Sequence, residues 1–258
     1  MFDASKYVVA APKPLPVLLL LDVSGSMDEV IDPENCRRTG QTVVDDGKTW
    51  EIVTGGTAKR QLLNMAVTKM IQEFSKEERT ETEFLVSVIT FGVHAKVHLP
   101  FTKASNITWE ELSCGGDTSL GEALKLAKAQ IENREIIPSR SYRPTVVLVT
   151  DGEPTDDWEE PMRAFIQDGR SSKCFCMAMG IKEKDEKALG KFIAGTPTIG
   201  QVGEKQIPNK VFHCDDAENI MDFFQKVTMS ITTRSRSTNP NQPPSIEVSD
   251  EEDEASYF

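Results

Sequence analysis

The run Leu15-Pro16-Val17-Leu18-Leu19-Leu20-Leu21 is apolar throughout and stops abruptly at Asp22-Val23-Ser24-Gly25-Ser26. A strand with one wet face alternates apolar and polar residues, and this one does not, so both of its faces must be covered. The run is far short of the ~18 residues needed to span a bilayer, and it lacks the basic start and small-residue exit of a secretory signal. It therefore fits an interior strand of a parallel sheet with a polar loop at its carboxyl end.

The rest of the chain supplies the partners such a strand requires. Ala58–Ser75 places Leu62, Met65, Ala66, Met70 and Phe74 near helical spacing, with Lys59, Lys69 and Glu73 left on the surface. Phe84–Phe91 reads as a second strand, and Ala95–Phe101 as its hairpin partner across Gly92. Ser119–Ile131 returns to helical period. Thr145–Thr150 and Lys173–Met179 read as buried strands, with a helix over Trp158–Gln167 between them. Lys184–Ile193, Val211–Cys214 and Ala217–Ile231 read as a helix, a short strand and a closing helix. Strands alternating with helices predict an α/β fold, a doubly wound and mostly parallel sheet flanked by helices on both faces.

Two segments fall outside this alternation. Residues 29–57 form a long excursion where a short loop would normally lead into the first helix. Within it, two β-prone runs flank Asp46-Gly47, which predicts an inserted hairpin after the first strand. At the other end, residues 238–258 carry six acidic residues and no basic one, half of the chain's formal charge of −12. Its first part, Asn239-Pro240-Asn241-Gln242-Pro243-Pro244, has little apolar material and cannot sustain a helix. The organisation expected is one domain over residues 1–233 and a disordered acidic tail over residues 234–258.

The acidic balance argues against a protein that coats nucleic acid or lies on an anionic membrane. The five cysteines (Cys36, Cys114, Cys174, Cys176, Cys214) are odd in number and contain no CxxC pair, so they read as reduced thiols. Cys174 and Cys176 would share one strand face as small hydrophobes. The expectation is a cytoplasmic protein.

Three loops carry hard oxygen chemistry. Asp22-Val23-Ser24-Gly25-Ser26 ends the first strand, Gly115-Gly116-Asp117-Thr118-Ser119 opens a helix, and Thr150-Asp151-Gly152-Glu153 closes a strand. In an open α/β sheet, ligands bind outside the carboxyl ends of the strands, so all three loops are expected at one edge. Hydroxyls, carboxylates and water suit a small hard dication, Mg²⁺ first, with Mn²⁺ or Ca²⁺ as the alternatives. The competing reading is that Ser24, Ser26 and Asp151 only cap turns and helices; it accounts for one such loop but not for three. Asp117, Ser119 and Asp156 read as local caps, and Glu153 and Asp157 as rim residues.

Asp22-x-Ser24-x-Ser26, followed by Thr118 and then Asp151, resembles the metal-ion-dependent adhesion site (MIDAS) of von Willebrand factor type A domains, with all five positions filled. The segments Gly-Gly-Asp-Thr-Ser-Leu-Gly-Glu-Ala-Leu and Val-Thr-Asp-Gly-Glu-Pro-Thr-Asp are most similar to bacterial tellurium-resistance TerY-like members; the long 29–57 excursion departs from their pattern. The resemblance implies that Ser24 and Ser26 bind the ion through their hydroxyls and Thr118 directly or through water. It also implies that Asp22 and Asp151 hold coordinated waters. Neutral hydroxyls offset little of the ion's charge, so a position left to water would accept an Asp or Glu from a partner protein.

Catalysis has less support. Gly116-Asp117-Thr118-Ser119-Leu120 superficially resembles an esterase nucleophile block, but none of His94, His98 and His213 falls in the pattern that such a base requires. There is no GxxxxGK[ST] run, and Asp22-Val23-Ser24 lacks the second Asp of a DxD phosphatase loop. The expected function is metal-dependent protein–protein binding, as a cytosolic adaptor in a bacterial stress-resistance or defence assembly. The resemblance links it to a protein kinase and phosphatase. The rivals are a hydrolase using the same ion and a structural subunit with a vestigial metal site.

Overall fold

The computed structural model describes residues 11–31, 36–45, 47–78, 82–182, 186–194, 200–202, 205–207, 211–214 and 216–241. In chain order its elements are β1 (Lys13–Asp22), β2 (Cys36–Asp45), β3 (Lys48–Gly55), α1 (Lys59–Glu77), β4 (Thr82–Phe91), β5 (Ala95–Lys103), α2 (Leu120–Glu132), β6 (Thr145–Thr150), α3 (Glu159–Gln167), β7 (Phe175–Ile181), α4 (Glu186–Ala194), β8 (Gly200–Val202), β9 (Lys205–Ile207), β10 (Phe212–Cys214) and α5 (Ala217–Arg236).

β1 is the interior strand its composition required. The main sheet runs β10-β7-β6-β1-β4-β5, with β5 antiparallel to β4 and the other neighbours parallel. Side chains of β1 alternate between two cores. Leu15, Val17, Leu19 and Leu21 pack with residues of α1 and α5, whereas Leu18 and Leu20 pack with residues of α2, α3 and α4. Each fully buried leucine contributes on the order of 2 kcal/mol, so a polar residue within this run would be costly on either face. Cys174 and Cys176 are buried in the second core, as their spacing predicts.

Most elements fall within two or three residues of their expected bounds, and the differences have local causes. Met65 was expected on the buried face of α1 but is 58% exposed; Leu63 and Val67 fill the core in its place. Lys59, expected on the surface, is 2% exposed because Asp151 and Glu29 close over its ammonium. The small β8–β9 hairpin was not anticipated.

The 29–57 excursion contains the expected hairpin, β2 paired antiparallel with β3. Its stem is tied to the domain by a bridge between Val30 and Ala58 and by Ile31 N–H donating to Thr57 O at 3.0 Å. Beyond the stem nearly every described side chain is exposed, including Val43, Val44 and Ile52.

The domain does not end at residue 233. α5 continues to Arg236, and Arg234 is buried beneath the chain that follows it. Its guanidinium donates to Arg143 O (3.0 Å), Pro240 O (3.0 and 3.1 Å) and Thr145 Oγ1 (2.5 Å), and stacks 4.1 Å from the Phe175 ring centroid. Burial first, then the nearby Arg143 charge, pulls this guanidinium down to about 10. Residues 234–241 therefore belong to the packed domain, and the expected tail beyond 241 lies outside the described residues. Among the described residues no helix is long and apolar enough to cross a membrane.

Candidate metal centre at the carboxyl edge of the sheet

The chain leaves β1 for β4 on one side and later returns to pair β6 on the other. This reversal opens a crevice at the carboxyl end of β1, where an open α/β sheet places its ligands. Asp22 is the last residue of β1, Asp151 directly follows β6, and Thr118 lies two residues before α2, where Ser119 N–H donates to Gly92 O at 3.1 Å.

Backbone bonds weld the first two loops together. Gly25 N–H donates to Gly116 O at 3.0 Å, and Gly115 N–H donates to Val23 O at 2.8 Å. The approach is close enough to demand glycine at two points. Gly116 has φ +80° and sits against Val93, and a Cβ on Gly92 would lie 2.9 Å from Gly115 O. The third loop joins through Thr155, whose N–H donates to Thr118 O (3.0 Å) and whose hydroxyl accepts from Thr118 N–H (3.1 Å).

The five predicted site residues meet here. Asp22 is fully buried: its Oδ1 accepts from Ser24 N–H (2.8 Å), and its Oδ2 from the Thr150 hydroxyl (2.5 Å). Ser24 Oγ and Ser26 Oγ lie 3.0 Å apart, and Ser26 Oγ donates to Asp151 Oδ1 at 2.7 Å. Thr118 is buried, with Oγ1 3.7 Å from the position a Cβ on Gly152 would take. The order of these contacts is hydroxyl, hydroxyl, carboxylate, with a second buried carboxylate behind them.

Burial, and next the charge of Asp151, push the Asp22 carboxyl up from 3.8 to about 6, against the opposing hydrogen bonds from Thr150 and Ser24. Asp151 is balanced from the opposite side by Lys59. The Lys59 ammonium donates to Asp151 Oδ2 (2.7 Å), Glu29 Oε2 (2.9 Å) and Ser26 O (3.2 Å). Burial alone would lower this ammonium's pKa, but the charges and hydrogen bonds of Asp151 and Glu29 outweigh it and hold the pKa above its ordinary value.

The donors fit a small dication. The Ser24 and Ser26 hydroxyls are hydrogen-bonded at 3.0 Å, a separation that adjacent oxygens around an octahedral ion with bonds of about 2.1 Å can also occupy. Among the described residues no group of three His, Cys, Asp or Glu side chains forms a metal cage. The candidate donors are chiefly hydroxyls, a set that suits hard ions over soft ones.

Sequence reading missed four contributors. Thr150 lies inside a loop already singled out, and its place before Asp151 was the available signal. Lys59, Glu29 and Thr155 gave no local signal, since each acts on a residue of another element. Two expected caps differ in outcome. Asp156 does cap α2, from the neighbouring loop, accepting from Gly121 N–H (2.9 Å) and Glu122 N–H (3.0 Å). Ser119 does not: its hydroxyl is buried without a hydrogen-bond partner. Asp117, Glu153 and Asp157 are exposed. The histidines are elsewhere: exposed His94 lies 3.5 Å from Glu122, and His98 packs edge-on to Trp109.

A family model for the von Willebrand factor type A domain matches residues 17–153. No curated protein is similar enough in sequence to count as a relative. Among solved structures, a von Willebrand factor type A protein from Catenulispora acidiphila superposes with a TM-score of 0.55 at 16% identity, over 86% of this chain and 43% of that one. Proximal thread matrix protein 1 from the mussel byssus, in a structure with a zinc-occupied MIDAS motif, gives 0.52 at 16% identity, over 84% and 45% of the two chains. BatB from Bacteroides thetaiotaomicron gives 0.51 at 15% identity, over 86% of this chain and 100% of that one. The present chain spans less than half the length of the first two, and at these identities the likeness is one of fold. The matched model covers more than half of the sequence and contains both the first and the last of the three oxygen-bearing loops: this chain belongs to the von Willebrand factor type A domain family.

Proposed function

We propose that this domain binds a divalent cation at the carboxyl edge of its sheet and uses it to hold an acidic side chain of a partner protein. The observation that carries the reading is the Ser24–Ser26 hydroxyl pair, set at the spacing of an octahedral edge and backed by Asp22 and Asp151. Ser24, Ser26 and Thr118 supply neutral oxygens, and Asp22 and Asp151 supply charge from behind. Mg²⁺ is the ion this hard, oxygen-only donor set suits first, with Mn²⁺ or Ca²⁺ as the alternatives. When bound, the ion offers an electrophilic position that a carboxylate oxygen fills in place of water.

The protein's own groups prepare this site. The Thr150 hydroxyl and Ser24 N–H fix both oxygens of Asp22. Ser26 and Lys59 fix both oxygens of Asp151. The charged groups behind the proposed ion, Asp22, Asp151 and Lys59, are engaged with one another and with neighbouring hydroxyls and amides, which favours holding an ion over bond cleavage. The reading is therefore a binding module, not an enzyme. The similarity of the Gly115–Leu124 and Val149–Asp156 segments to TerY-like members supports a cytosolic adaptor in a bacterial stress-resistance assembly. A partner protein kinase or phosphatase is part of that reading.

The test is metal binding followed by capture. Mg²⁺ or Mn²⁺ should raise the melting temperature of the wild-type chain, and Ser24→Ala/Ser26→Ala should abolish that rise without unfolding the metal-free protein. Affinity capture in Mg²⁺ and in EDTA should then yield partners retained only with the metal. A wild-type chain indifferent to millimolar Mg²⁺ and Mn²⁺ would overturn the reading.

A further inference from the structure

Lys59 is a lysine where a cation site would be expected to exclude one. It is 2% exposed, and all three ammonium protons are directed at oxygens: Asp151 Oδ2, Glu29 Oε2 and Ser26 O. Asp151 is thereby shared, its Oδ1 taken by the Ser26 hydroxyl at 2.7 Å and its Oδ2 by Lys59 at 2.7 Å. For Asp151 to turn and ligate an ion directly, it would have to abandon a buried ammonium whose remaining partners are one half-exposed carboxylate and one carbonyl. Stripping a buried charge of its main partner is costly, so that rotation is opposed.

We propose that Lys59 is a positioning residue that holds Asp151 back from direct coordination, and so sets how much positive charge the bound ion keeps for a partner's carboxylate. The inference rests on the metal-site reading above and adds a device to it. A site without Lys59 would gain a direct carboxylate ligand and lose a nearby like charge. Both changes tighten the ion and make it less electrophilic. The present arrangement gives up metal affinity to favour the incoming acid. Glu29 moderates the effect from outside, since it draws on the same ammonium and begins the excursion that carries the hairpin. Lys59 N–H also donates to Glu29 O at 3.1 Å, so both ends of the excursion are tied together at this point.

The experiment uses Mn²⁺ as the probe on the full chain, reading its affinity by titration of the free-ion EPR signal and its inner-sphere waters by water-proton relaxation. Lys59→Met should bind Mn²⁺ about tenfold or more tighter than wild type and carry about one water fewer, as Asp151 enters the coordination shell. Lys59→Arg should retain the wild-type water number. Adding Asp151→Asn to Lys59→Met should remove the gain. Glu29→Gln leaves the core intact and the ammonium less balanced, and should weaken Mn²⁺ by about two- to fivefold. A Lys59→Met protein with wild-type affinity and water number would overturn the inference, as would a Glu29→Gln protein with unchanged affinity. A wild-type chain that takes up no Mn²⁺ would overturn the metal site itself, an outcome distinct from these.

Discussion

Replacing Asp22 with Asn should stabilise the metal-free protein, although it removes a residue from the centre of the proposed site. Asp22 is fully buried, and burial with the Asp151 charge raises its carboxyl from 3.8 to about 6. Between those two values the native state holds a proton that the unfolded chain has released. The stabilisation from that proton is therefore fully present below about pH 4 and is lost as pH rises through about 6. At about 1.4 kcal/mol per unit of pKa, keeping Asp22 ionised at pH 7 costs the metal-free domain about 3 kcal/mol. Asparagine is isosteric, accepts from Ser24 N–H as before, and can donate its amide to the Thr150 hydroxyl, so no polar group is orphaned. In EDTA at pH 7, Asp22→Asn should melt about 5–10 °C above wild type, and the gap should shrink to about a third of that near pH 4.5. Added Mg²⁺ should raise wild type but not the variant. Calorimetry in EDTA at the two pH values, repeated with Mg²⁺, checks each part. An Asp22→Asn protein no more stable than wild type at pH 7 in EDTA would refute the electrostatic account. So would a gap that persists unchanged at pH 4.5.

Two further expectations concern the frame around the site. Arg234→Met should destabilise by about 2–4 kcal/mol in urea unfolding, because it leaves Arg143 O, Pro240 O and the Thr145 hydroxyl without their donor; a loss under 1 kcal/mol would show the guanidinium to be dispensable. Replacing residues 36–55 with a short Gly-Ser linker should change stability by no more than about 1 kcal/mol, since the hairpin is exposed along nearly all its length. Such a protein should still bind Mn²⁺, and any loss of captured partners would then assign the hairpin to recognition.

The alternation of strands and helices was legible in the sequence because each element declares its own period. β1 is apolar without a break because it is covered twice, and α1 repeats at helical spacing because one stripe of it meets the core. The same local signals misplaced Met65 and Lys59. A helical stripe indicates that one face is buried but not where the stripe ends, and it says nothing about what an adjacent loop lays over a residue at the helix start. The end of the domain failed for a related reason. Arg234 sits in a polar stretch that reads as solvent-exposed, and only the carbonyls of Arg143 and Pro240 show that its charge is solvated by backbone.

The sequence by itself determined the fold class, the three oxygen-bearing loops and the five residues of the candidate site, because hydroxyls and carboxylates at strand ends are a local property of the chain. It also located the inserted hairpin, through Asp46-Gly47. The tertiary structure decided the strand order that sets β1 between β4 and β6 and so brings Asp22 and Asp151 to one crevice. It decided as well that Thr150 locks Asp22 and that Lys59 claims half of Asp151. These are contacts between residues 128 and 92 positions apart. No periodicity records which distant element will cover a given face, and the chemistry of the site depends on that covering.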